Sequence, residues 1–174
     1  MIRFRSFWIF PLLAGALITW THHREPQSHA GQLLWLWPMG LALWTIIEYF
    51  FHRFLLHASS FAGATHGLHH EAPRNPDQIL VRSFPALLVS TTAFGIIFAA
   101  TGSLFDSAGI MTGVWTGFLY YELVHYRVHM SLRNSPLLQR QRRAHFYHHF
   151  SNSKKCFGVT SSMWDYVFGT GRNP

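Results

Sequence analysis

Ten of the thirteen histidines in this chain fall into four tight clusters. His52 and His57 read H-x-x-x-x-H, and His66, His69 and His70 read H-x-x-H-H. His125 and His129 read H-x-x-x-H, and His145, His148 and His149 repeat H-x-x-H-H. Residues three and four apart share one face of a helix. His125 with His129 can therefore address one metal ion, and so can each H-x-x-H-H triple. His52 and His57, five apart, diverge on a regular helix. They fit best where a helix distorts or stops, with His52 on the last turn and His57 just beyond. Ten imidazoles exceed the four ligands of a structural zinc site and suit two ions with five or six ligands each. Imidazole serves zinc, copper, iron and nickel, so the ligand type alone does not choose the element.

A ligating histidine usually donates its second ring N–H to a carboxylate or carbonyl, which fixes its tautomer. Acids are scarce here, seven in all, so their positions are informative. Glu48 lies one turn before His52 and Glu122 three residues before His125. These two are the favoured acceptors, because an acid at the end of an apolar run is costly without a partner. Glu71 and Asp77 read as loop or cap residues, and Asp165 sits in the terminal WDYVF. The lone Cys156 permits no intrachain disulfide and supplies no thiolate framework. His22, His23 and His29 stand apart from the clusters and read as solvated loop residues.

Four apolar runs must carry these clusters: 6–21, 30–47, 83–105 and 107–121. A membrane helix needs roughly 20 apolar residues, and the runs meet this once interfacial residues are counted. Trp8, Trp20, Trp35, Trp37 and Trp115 lie in the runs or near their ends, where interfacial aromatics gather. Composition agrees: 49% of residues are hydrophobic and only 12% charged, against about 25% charged in soluble domains. The first run follows Arg3 and Arg5 in the manner of a signal peptide, but Pro11 and bulky Trp20 fit no cleavage site, so a retained helix is expected.

The net charge of +7 is distributed asymmetrically. Only Arg24 lies between the first two runs, and no basic residue lies around Asp106. Arg53, Arg74 and Arg82 fall between runs two and three; Arg127, Arg133, Arg140, Arg142, Arg143, Lys154, Lys155 and Arg172 follow run four. The positive-inside rule then places both termini, the middle segment and all four clusters on the cytoplasmic side. It also accounts for the basic excess without nucleic acid. Ser135 and Pro136 form a helix start. The following segment is expected to lie along the membrane, Leu137 and Leu138 in lipid and Arg140, Arg142 and Arg143 on phosphates or a docked electron donor.

The cluster order, together with HHEAPRNPDQILVRSFP and the terminal FGVTSSMWDYVFGT, resembles the fatty acid hydroxylase branch of the fatty acid hydroxylase and sterol desaturase superfamily, over about residues 45 to 170. The spacing is most similar to that of fatty acid 2-hydroxylases. The resemblance implies an all-α integral membrane fold, residues 1–174 forming a single domain of four transmembrane helices with a cytosolic helical cap that carries the di-metal site. It implies as ligands His52, His57, His66, His69, His70, His125, His129, His145, His148 and His149. It further implies oxygen as co-substrate and insertion of a hydroxyl into a lipid C–H bond. That chemistry needs a redox metal, and zinc has none. Two iron ions are therefore expected, with zinc able to replace them in purified protein because it binds such sites more tightly than iron(II). Many eukaryotic members carry a fused b-type cytochrome. No room remains for one in 174 residues, so a separate cytochrome, ferredoxin or reductase is expected.

Two other readings stay open. A carotenoid or sterol hydroxylase or desaturase shares much of the pattern. A non-enzymatic membrane metal-binding protein would differ in class; a carrier would place ionisable ligands near the bilayer midplane, where these runs are apolar. Tyr120, Tyr121, Tyr147 and Trp164 read as packing or interface aromatics, with an acyl tunnel as the alternative.

Overall fold

The computed structural model describes residues 6–25, 27, 30–58, 61–132 and 135–172. Among them there is no strand. The helices are α1 (Ser6–Arg24), α2 (Leu33–Phe50), α3 (Phe61–Glu71), α4 (Pro76–Ile79), α5 (Ser83–Thr101), α6 (Leu104–Met130), α7 (Pro136–Phe150) and α8 (Met163–Val167). A 3-10 turn, Ala30–Gln32, leads into α2, and a π-helical turn, Phe51–Leu56, follows it.

Two helical stretches among the described residues are long and apolar enough to cross a membrane, Ala30–Leu56 and Pro76–Thr101. Only 17% and 11% of their apolar windows are buried within the protein. A soluble core helix would be covered by protein, whereas these leave Trp35 80%, Leu34 74% and Phe84 78% exposed.

The chain divides into two compact units. The first comprises residues 3–44 and 81–119. Its packing rests on glycines spaced by four on α6. A Cβ at Gly113 would stand 2.1 Å from the Trp37 carbonyl oxygen, and one at Gly117 2.4 Å from the Trp44 ring. Opposite them, a Cβ at Gly40 would stand 2.0 Å from the Ile110 oxygen. Backbones thus approach through small residues, as membrane helices do where burial of apolar surface supplies no drive. Trp37 donates to Thr116 Oγ1 at 3.1 Å on the same face. The turn between α5 and α6 uses Gly102 at φ 67°. Glu25 closes the start of α6, accepting from Leu104 N at 2.7 Å, Phe105 N at 3.3 Å and Ser103 Oγ at 2.7 Å. A carboxylate on a helix N-terminus meets unpaired N–H groups and the positive end of the dipole.

Trp115 departs from the interfacial role expected of it. It is 7% exposed, packs on Phe10 and donates to Ser90 Oγ at 3.1 Å. The side chain of Trp8 and the whole of His29 lie outside the described residues.

The second unit comprises residues 45–80 and 120–174 and holds all four histidine clusters. Ser135 caps α7, accepting from Leu138 N at 3.2 Å, with Pro136 at the first position. Two expectations for α7 are corrected. Leu138 is buried at 6% exposure while Leu137 is 58% exposed, so only one of the pair can meet lipid. Arg142 is engaged by protein carbonyls, donating to Val128 O at 2.9 Å, Arg127 O at 3.2 Å and Ser131 O at 2.6 Å. A guanidinium there satisfies the last carbonyls of α6 and the negative end of its dipole.

The tail after α7 folds onto the end of α2. Trp164 Nε1 donates to Thr45 Oγ1 at 2.9 Å, and Tyr49 Oη pairs with Thr170 Oγ1 at 2.9 Å. Glu48 accepts from Val159 N at 2.6 Å, from Thr160 N at 2.8 Å and from the Thr160 hydroxyl.

Candidate metal centre

The π-helical turn explains how His52 and His57 meet. Five residues on a regular helix put side chains about 140° apart. An i→i+5 turn is wider and brings them to one side. His52 lies in that turn and His57 just past it, with ring centroids 5.2 Å apart.

All ten clustered histidines come together, in two sets of five. One holds His52, His57, His66, His70 and His148; the other holds His69, His125, His129, His145 and His149. Within each set the ligand atoms lie within 4.8 Å of one another. Each H-x-x-H-H is therefore divided between the two sets. Sequence spacing allows each triple a single ion; the structure instead draws each set from both α3 and α7.

Within each set several Nε2 atoms lie close to one another. His66 Nε2 lies 3.1 Å from His52 Nε2 and 3.0 Å from His70 Nε2, and His57 Nε2 lies 3.0 Å from His148 Nε2. In the other set His145 Nε2 meets His125, His129 and His149 Nε2 at 3.1, 2.9 and 3.0 Å. A neutral imidazole has one acceptor nitrogen with one lone pair, so His145 cannot hydrogen-bond to three partners through one atom. Two nitrogens each about 2.1 Å from one ion and at right angles lie about 3.0 Å apart, whereas a tetrahedral angle sets them about 3.4 Å apart. The spacing thus fits an ion with more than four positions. Five nitrogens on a six-coordinate ion would keep one position for a small ligand.

The opposite ring nitrogens fix the tautomers. His52 Nδ1 contacts Phe157 O at 2.5 Å, His148 Nδ1 contacts Lys155 O at 2.8 Å, and His125 Nδ1 contacts Ile79 O at 3.1 Å. A carbonyl can only accept, so each Nδ1 carries the proton and each Nε2 keeps its lone pair for a metal. Glu48 reaches this system at one remove, through Val159 and Thr160, two and three residues beyond Phe157. Glu122 is buried at 1% exposure. Asp165 is only loosely marked by the sequence, yet it is fully buried and accepts from Phe157 N at 2.8 Å and Gly158 N at 2.9 Å.

Burial, and then repulsion from neighbouring imidazoles, hold His69 down to about 3 and His70 to about 4; burial likewise holds His148 at about 3. His66, His145 and His149 are lowered by the same causes. All six are neutral near pH 7, the form that binds metal.

A recess of about 310 Å³ opens onto the first set, lined by Leu56, His57, Ala58, Gly63, His66, Gly67, His70 and Ser153. Of the four aromatics weighed as tunnel residues, Trp164 is tied to Thr45, and Tyr147 lies 5.4 Å beneath Arg172. Tyr121 stacks on His125 at 5.4 Å, and Tyr120 is 46% exposed.

Residues 37–170 match the family described as fatty acid hydroxylase. A dihydroceramide fatty acyl 2-hydroxylase of Arabidopsis thaliana is 29% identical over 94% of this chain and 73% of its own length. The ceramide very long chain fatty acid hydroxylase of Saccharomyces cerevisiae is 29% identical over 97% of this chain, and fatty acid 2-hydroxylase of Rattus norvegicus 32% identical over 78%. The alignments span 46% of the yeast protein and 39% of the rat protein. A solved structure of full-length scs7p, with only its hydroxylase domain visible, superposes with a TM-score of 0.80 at 28% identity, covering 96% of this chain and 67% of that one.

Proposed function

Because the chain belongs to the fatty acid hydroxylase family, we propose that it is a membrane di-metal monooxygenase that hydroxylates a lipid acyl chain. The observation that carries this reading is the meeting of three Nε2 atoms on His145 Nε2, which one hydrogen-bonding nitrogen cannot satisfy and a shared ion would. The ten histidines are the ligands, five to each metal.

Two iron ions, when bound, supply the redox chemistry: one atom of dioxygen enters a C–H bond and the other leaves as water, with two electrons and two protons taken up. The chain's own residues hold ten imidazoles neutral and aimed. The carbonyls of Phe157, Lys155 and Ile79 keep Nε2 unprotonated on His52, His148 and His125. The recess beside His57, His66 and His70 is the route by which a small ligand or the lipid reaches the first set. Iron in place of zinc follows from the need for a redox metal.

The relatives' names point to a fatty acyl group, free or within a ceramide, and to its 2-position. Four spans, made by α1, α2, α5 and the apolar part of α6, put both termini and the histidines on the cytoplasmic side by the positive-inside rule. Exposed Arg140 and Arg143 offer a basic face on which an electron donor can dock.

The test is mass spectrometry of total lipids from cells expressing the wild type or His148→Ala, with a competent donor. A lipid heavier by one oxygen, present with the wild type alone, is the expected result and identifies the substrate. A lipid lighter by two hydrogens would move the assignment to a desaturase. No change from a metal-loaded protein would overturn the oxygenase reading.

A further inference from the structure

Cys156 is the only non-glycine residue with positive φ among the described residues, at 59°. That region is costly for a residue with a Cβ. Strained backbone persists only where its surroundings over-determine it, and it gathers at functional sites. Here the surroundings do so. Cys156 is buried, and its N–H donates to Thr170 O at 2.8 Å. Asp165 grips the next two N–H groups, those of Phe157 and Gly158, and also accepts from Thr170 Oγ1 at 2.8 Å.

The strained residue lies between two carbonyls that both serve histidines. Lys155 O, on one side, faces His148 Nδ1, and Phe157 O, on the other, faces His52 Nδ1. The two rings are close, with centroids 4.5 Å apart. Carbonyls two residues apart on an extended chain are about 6.6 Å apart, so a bend between them matches the rings better. His52 and His148 belong to the same set of five. The other set has one such carbonyl, Ile79 O on His125 Nδ1 at 3.1 Å, and no pair of them around a single residue; His69, His145 and His149 have a buried Nδ1 with no hydrogen-bond partner among the described residues.

We propose that the left-handed backbone at Cys156 is a positioning device for one metal of the pair, aiming the Lys155 and Phe157 carbonyls at two ligands of the set formed by His52, His57, His66, His70 and His148. It rests on the di-metal reading above. The thiol takes no part; the residue acts through its backbone. The hydrogen bonds it places hold the two rings in orientation and raise the basicity of their Nε2 atoms. The two metal sites thus differ in ligand strength although both are built from five histidines.

The test compares Cys156→Gly with Cys156→Val in the full-length protein in detergent. Both remove the thiol. Glycine adopts positive φ freely, whereas branched valine, close to cysteine in size, does not. Each protein is loaded with cobalt(II), bound metal is counted and the ligand-field absorption recorded. Cys156→Gly is expected to hold two ions per chain with the wild-type spectrum. Cys156→Val is expected to fall to about one ion and lose the bands of one site. Full loading of Cys156→Val with an unchanged spectrum would overturn the proposal, as would equal losses in both variants. If Cys156→Val does not accumulate, Asp165→Asn carries the test, since it replaces one of the two acceptors on Phe157 and Gly158; the same selective loss is expected, and an unchanged spectrum would overturn it. A wild-type chain that takes up fewer than two ions would instead overturn the di-metal reading itself.

Discussion

His69 on α3 meets His125 on α6 with 3.0 Å between their Nε2 atoms, although both neighbouring histidines of its own cluster, His66 and His70, belong to the other set. Neither metal set is therefore the property of one helix. Each set joins α3 to α7, one through the π-turn and the other through the end of α6, so metal bound by either set would be coupled to the fold of this unit.

Pairs of alanine substitutions read this division directly. His66→Ala with His70→Ala removes two ligands of one ion, and the double variant is expected to lose little more metal than either single. His66→Ala with His69→Ala strikes both ions and is expected to lose about twice as much. Neighbours that share one ligand set are non-additive, whereas independent sites add. Elemental analysis of purified protein decides, and equal losses from both doubles would contradict the two sets.

The expectations that hold and those that do not divide by what sets them. The break at His52 and His57 is legible because a five-residue spacing conflicts with a regular helix. The caps at Ser135 and Pro136 are legible because capping is local. The division of H-x-x-H-H is not, because the partner of His69 depends on where α6 and α7 stand in space. The carbonyls that fix His52 and His148 carry no side-chain signal, so sequence reasoning misses them. Trp115 and Leu138 are misplaced because an apolar residue in an apolar run reads alike whether it faces protein or lipid. Gly109, Gly113 and Gly117 do carry a signal beyond the apolar runs, a spacing of four that marks close helix contact.

Glu48 bears on stability. Its carboxylate accepts from Val159 N, Thr160 N and the Thr160 hydroxyl, and it is 4% exposed. Glu48→Ala leaves these donors buried and unpaired, at about 1–3 kcal/mol for each unsatisfied group. Thermal unfolding of the detergent-solubilised protein is expected to show a drop of several degrees, with a smaller one for Glu48→Gln, which retains an acceptor. A wild-type Tm for Glu48→Ala would show that the tail is held without it.

Gly113 and Gly15 provide a contrast within α-helical glycines. Gly113→Ala places a Cβ 2.1 Å from the Trp37 carbonyl and 2.8 Å from Gly40 Cα, both backbone. The backbones must move apart, and overpacking of this kind costs about 1–3 kcal/mol. At Gly15 an added Cβ would meet nothing within 4 Å, so Gly15→Ala should be neutral or gain up to about 1 kcal/mol from helix propensity. Unfolding midpoints of the two variants are expected to shift in opposite directions or by clearly unequal amounts. Equal shifts would remove the close approach of Gly113 and Trp37 from the account of this unit.

Gly67 tests the route to the metals. It lines the recess over His57, His66 and His70, sits between two ligands on α3, and has open space where its Cβ would be. Gly67→Leu is therefore expected to project a side chain into the recess, its Cβ meeting nothing within 4 Å, and it removes none of the ten histidines and none of the carbonyls that face them. Helix propensity also favours leucine over glycine, so folding should not suffer. Metal content is expected to stay at the wild-type level. Turnover, measured as hydroxylated lipid formed per metal-loaded protein, should fall by at least about tenfold if this is the path by which substrate or oxygen reaches the first set, since small displacements of a reacting group carry rate losses of this order and larger. Gly67→Ala, which fills less of the recess, should fall between. Unchanged turnover in Gly67→Leu would place the entrance elsewhere on this unit and leave the histidine geometry as it stands.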